Sequence, residues 1–110
     1  MRNLDDIELH ASRLGQDHLL VITGGAAHIG AASVSSQSED GVLTQTSAVP
    51  GHKEHVLTDS LAHKAAAQLG STVVIIMGIH YDNLDQEEIR EVGRISEHLV
   101  EEYIRKQKGE

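Results

Sequence analysis

Two apolar runs constrain the fold more tightly than anything else in this sequence. Residues 18–23 (His18-Leu19-Leu20-Val21-Ile22-Thr23) and residues 72–77 (Thr72-Val73-Val74-Ile75-Ile76-Met77) are short and continuous, and the second is strongly β-branched. Runs of this length without alternation are the pattern of strands covered on both faces. The first halts at Gly24-Gly25 and the second is followed by Gly78. A sheet with at least two central strands is therefore expected.

The rest of the chain supplies the other layers. Residues 6–14 alternate, with Ile7, Leu9 and Ala11 on one side and Glu8, His10 and Ser12 on the other, as in a half-buried strand. Residues 29–36 are small and β-permissive, and are expected to pair back on the first apolar run. Asp40-Gly41 is good hairpin chemistry, with residues 42–49 as the return strand and Pro50-Gly51 ending it. Residues 52–69 read as a helix with an apolar row at Leu57, Leu61, Ala65 and Leu69, stopped by Gly70. Residues 85–106 read as a second helix. Asp85 and Glu88 form a capping box there, and Ile89, Val92, Ile95, Leu99 and Tyr103 form its apolar stripe. The order β-β-β-β-α-β-α predicts an α+β fold, a largely antiparallel sheet of about five strands with two helices on one face. The 110 residues are expected to form a single domain, small enough to gain from homo-oligomerisation.

Composition removes several function classes. There is no cysteine, which excludes a disulfide framework and thiolate metal sites. A net charge of −8 argues against nucleic acid, and no apolar run approaches the length of a membrane span. The first residues lack an apolar signal core, so a cytoplasmic protein is expected. There is no Lys or Arg between Arg13 and Lys53, and an anion held near Gly24-Gly25 would depend on backbone amides and Lys53. With no Phe or Trp and only Tyr81 and Tyr103, a flat ligand would find Tyr81 or a histidine as its stacking partner.

Three histidines lie beside glycines at the ends of the expected core elements. These are His28 between Gly25 and Gly30, His52 in Gly51-His52-Lys53, and His80 in Gly78-Ile79-His80-Tyr81. Glycine allows close backbone approach and imidazole is versatile near neutral pH, so the three are expected to converge. Taken singly, each has a plainer reading. Gly24-Gly25 alone is a hairpin turn, His28 a turn residue, and His80 with Asp82 a turn former or half of a metal site. His52 and Lys53 are placed in the first turn of a helix, where the dipole favours an anion. No Ser lies on a nucleophile elbow, and the Gly24-Gly25 turn fits neither a Walker loop nor a dinucleotide fingerprint. A binding site for a small anionic molecule is better supported than a catalytic one.

The three segments in series resemble the prenylated flavin chaperone LpdD-like family, the small D subunit of gallate-type decarboxylase systems. The matching stretches are Val21-Ile22-Thr23-Gly24-Gly25 with His28-Ile29-Gly30, then His52-Lys53 with an acidic residue next, then Gly78-Ile79-His80 ahead of the last helix. The resemblance implies a non-catalytic carrier of reduced prenylated FMN, which also points to FMN itself as a possible ligand. It implies partnership with a flavin prenyltransferase and a UbiD-type decarboxylase. It also implies ligand-site roles for Gly24, Gly25, His28, His52, Lys53 and His80, with Tyr81 beside them. Lys53 and the glycine-turn amides are assigned to the phosphate, and His28 and His80 to the isoalloxazine edge. Two other readings stand beside it. One is a small metal-dependent enzyme using His28, His52, His80 and Asp82. The other is a structural subunit of a decarboxylase complex.

Overall fold

A computed structural model of the chain describes residues 2–51 and 53–110. Five strands and two helices follow in the order β1 (Glu8–Leu14), β2 (Asp17–Gly25), β3 (Ala31–Ser38), β4 (Gly41–Ala48), α1 (His55–Leu69), β5 (Val73–His80) and α2 (Gln86–Gln107). They form one sheet in the order β1-β2-β5-β3-β4. The β2–β5 pair is parallel and the other three are antiparallel. This is the α+β class, element order and strand number expected.

One pairing differs from expectation. The third strand does not return to β2, because β5 enters between them. The reason is burial: the two apolar runs gain most by lying together at the centre, and the hydroxyl-rich β3 and β4 are better suited to the flank.

The pairing registers define two faces. On one face, successive rows across the sheet are Leu9-Ile22-Met77-Ala31-Ala48 and Ala11-Leu20-Ile75-Ser33-Thr46. Both helices cover this face. Leu20, Ile22, Val73, Ile75 and Met77 are fully buried beneath Leu61, Ala62, Ala65, Ala66, Val92 and Val100. The three alanines let α1 sit close on the sheet. Where α1 crosses β3 and β4, the contact is made of hydroxyls: Ser33 Oγ lies 2.6 Å from Thr46 Oγ1 and 2.8 Å from Thr58 Oγ1, and Ser35 Oγ lies 2.6 Å from Thr44 Oγ1. Burial of these groups is tolerable because each is bonded, and among the described residues no buried side-chain polar atom lacks a partner.

The opposite face carries the rows His10-Val21-Ile76-Ala32-Ser47 and Ser12-Leu19-Val74-Val34-Gln45. Among the described residues, no element lies over their centre. The two apolar runs thus have one covered face rather than the two their sequence leads one to expect.

Helix ends follow their local chemistry. Gly70 takes the left-handed conformation at φ 66° and returns its N–H to Ala66. Asp85 caps α2, and the box with Glu88 is closed in both directions. The buried row of α2 is Glu88-Val92-Ser96-Val100-Ile104, with Ile95, Leu99 and Tyr103 at its margin and Ile89 mostly exposed. The first helix begins at His55, not at 52. Lys53 therefore precedes it, which corrects the expected position in the helix's first turn.

Candidate functional site

The C-terminal ends of parallel neighbours β2 and β5 lie side by side, with Gly25 opposite His80. Their backbones diverge there because residues 26–30 must pass over β5 to start β3. Two bonds pin this arch: Ala26 N donates to the His80 carbonyl (3.0 Å) and Gly30 N to the Met77 carbonyl (2.9 Å). Gly78 lies directly beneath, and a Cβ there would collide with the His28 carbonyl. Only glycine lets two backbones approach this closely.

The arch brings His28 to His80, with ring centroids 6.3 Å apart and planes nearly perpendicular. Two of the three expected histidines therefore meet within one chain. His52 lies outside the described residues. His80 Nε2 is 3.1 Å from Asp82 Oδ1. His28 Nε2 is 3.1 Å from Glu54 Oε2, and its Nδ1 is 3.1 Å from the Ala26 carbonyl.

Glu54 is the centre of this arrangement. Its carboxylate accepts the Ile79 N–H (3.2 Å), an amide left without a strand partner where β3 turns away. It also fills the space beside Gly30, where any Cβ would strike it. With the side chain only 11% exposed, it is a largely buried acid whose partners include the Ile79 amide and the His28 imidazole. Sequence reasoning noted it only as the acidic residue after His52-Lys53 and gave it no role. The signal that marks it is the absence of a capping function: Glu54 is the N-terminal neighbour of α1 yet makes no side-chain cap bond.

The glycine turn is engaged differently. Gly25, at φ +64°, donates its N–H to Asp6 Oδ2 at 2.9 Å, and the Tyr81 hydroxyl donates to the other oxygen of the same carboxylate. The Tyr81 hydrogen bond, then the Gly25 amide, hold Asp6 below the usual carboxylate range. Burial, then the Asp6 bond, push the Tyr81 phenol well above its ordinary value. The Arg2 guanidinium stands 5.8 Å from the Tyr81 ring centre. The Gly25 amide and the Tyr81 hydroxyl thus have partners within the chain, and together with Asp6 they tie the residues before β1 to the site.

Two hollows flank these residues. A shallow one of about 450 Å³ is lined by Asn3, Asp5, Asp6 and Tyr81, and its two aspartates disfavour an anion. The other, about 210 Å³, opens on the helix side of β5 between the starts of the two helices. Its walls are Leu57, Met77, Ile79, Leu84, Ile89 and Val92, with Lys53 and Glu54 as its charged residues. Glu54 thus joins the His28–His80 pair to an apolar cleft beside an exposed cation. Such a site suits a ligand with an apolar body, a hydrogen-bonding edge and a negative group. Among the described residues, no group of three or more His, Asp or Glu side chains is placed to hold a metal ion, and no helix is long and apolar enough to cross a membrane.

Residues 2–108 match a family model described as the prenylated flavin chaperone LpdD-like domain. No curated protein matches the chain.

Proposed function

We propose that this chain, which belongs to the prenylated flavin chaperone LpdD-like family, is a non-catalytic carrier of reduced prenylated FMN. In this reading it receives the cofactor from a flavin prenyltransferase and releases it to a UbiD-type decarboxylase. The observation that supports it most is the cleft where Lys53 stands beside an apolar wall and Glu54 leads to His28.

The residues fit the parts of the ligand. Lys53 meets the phosphate; the Gly25 amide already serves Asp6, so the lysine carries more of that contact than the glycine turn does. His28 and His80 face the polar edge of the ring system, the first oriented by Glu54 and the second by Asp82. Leu57 and Ile79 take the apolar edge that prenylation adds. Gly24, Gly25 and Tyr81 shape the adjoining turn, and His52, next to Lys53, is assigned to the same site. Unprenylated FMN would lose the apolar contact and bind more weakly.

Size supports a carrier rather than a resident cofactor site. A cleft of about 210 Å³ is smaller than the ~300–1,000 Å³ of pockets that enclose drug-sized ligands, so part of the cofactor stays outside, ready to be taken. Affinity is then modest, about micromolar or roughly −8 kcal/mol.

Anaerobic native mass spectrometry with reduced prenylated FMN tests the site. The expected result is an adduct on the wild-type chain whose apparent affinity falls about tenfold, or ~1.4 kcal/mol, in Lys53→Ala. No adduct, or equal binding by both proteins, overturns the assignment. A divalent metal on every subunit with no flavin adduct favours a metal-dependent enzyme instead.

A further inference from the structure

We infer that the chain pairs with a second copy of itself, sheet against sheet, through the face that the helices leave open. The first observation is the mismatch between sequence and cover. Leu19, Val21, Val74 and Ile76 belong to runs with the composition of strands buried on both sides, yet no element among the described residues lies over them. Ala32 and Val34 extend the same surface onto β3, where Val34 is 42% exposed. An antiparallel sheet whose second face meets water normally alternates to polar there, and this one does not.

The second observation is charge. The two open rows end in His10 and Ser12 on β1 and in Ser47 and Gln45 on β4. They contain no Asp, Glu, Lys or Arg, although the chain has 17 acids and 9 Lys and Arg. In a two-fold pair both copies present the same patch, so a patch dominated by one sign of charge would meet its own kind. The charged strand residues of this face, Glu8 and Asp17, stand at opposite ends of its β1–β2 edge, so in a chain of net −8 its uncharged centre is the surface on which two copies can approach with little of that repulsion.

The third is size. Strands of seven to nine residues in a five-stranded sheet give a face of roughly 24 by 26 Å, using about 4.8 Å between strands and ~3.3 Å per residue. Two such faces in contact remove on the order of 1,200 Å² from water, the lower bound of stable interfaces. Aligned packing at about 10 Å completes a sandwich with helices on both outer surfaces. The arch of residues 26–30 crosses this same face at Gly78, so the His28–His80 pair borders the interface.

Analytical ultracentrifugation at micromolar concentration, with reactivity at one introduced cysteine, tests the pairing. Wild-type protein is expected to sediment at twice its 11.9 kDa chain mass. Val34→Lys is expected to raise the dissociation constant at least 100-fold with unchanged far-ultraviolet circular dichroism, whereas Val56→Lys, on the exposed side of α1, remains paired. Because the chain has no cysteine, Val34→Cys adds a single thiol, and its alkylation is expected to slow as protein concentration rises. This second measurement stands even if the lysine variant does not fold. A wild-type chain that sediments as a monomer, or a folded Val34→Lys that stays paired, overturns the inference. So does a thiol whose alkylation is independent of protein concentration. A monomer whose thiol is shielded only by added apo-decarboxylase assigns the face to that partner instead.

Discussion

His18 begins the first apolar run, yet its ring is nearly inaccessible, with Nδ1 2.6 Å from the Tyr103 hydroxyl of α2. Desolvation first, then the nearby Arg13 charge, lower its pKa from 6.5, with Asp17 opposing. The unfolded chain therefore takes up a proton below about pH 6.5 that the folded chain resists. Above that pH both states are neutral and the residue adds no pH dependence. Below it, stability falls progressively until the lowered native pKa is reached. The carboxylates held low, Asp6, Glu88 and Glu101, act only below about pH 4.5 and leave this window clear. Urea midpoints measured from pH 7 to 5 are expected to decline for the wild type and to change less for His18→Phe. An equal decline in both would show that another group governs this range.

At the level of elements, local chemistry was legible wherever a stop or cap is encoded in a few adjacent residues. Gly70 and the Asp85–Glu88 box needed no tertiary information. Removing the cap by Asp85→Ala is expected to reduce stability by about 1 kcal/mol, read as a lower urea midpoint. A change below a few tenths would mean that packing alone sets this helix start. The start of α1 was misplaced because Glu54, the residue before it, turns its carboxylate to Ile79 and His28 instead of capping the helix. Likewise the place of β5 between β2 and β3 depends on residues some fifty positions apart, which strand periodicity does not encode. The convergence of His28 and His80 could be read from their position beside glycines at two strand ends. The roles of Glu54 and Asp6 could not, since each depends on where the arch and the N-terminal residues come to rest.

For the whole molecule, the sheet divides the chain into two functions. The helix side provides the core and, at the ends of β2 and β5, an open cleft with Lys53 and Glu54. The other side is a surface with an apolar, uncharged centre that ends at the same arch. A carrier with a partly enclosing site must hold its cofactor long enough to reach an acceptor and weakly enough to give it up. That requirement distinguishes it from an enzyme that keeps the cofactor and from a subunit that only scaffolds. The most direct measurement is transfer itself: protein preloaded with reduced prenylated FMN is mixed anaerobically with apo-decarboxylase, and the cofactor on each is followed by native mass spectrometry alongside decarboxylase activity. The expected result is cofactor leaving this chain as activity appears, with no activation by unloaded protein. Cofactor that stays on this chain, or activation by the unloaded chain alone, would contradict the carrier role.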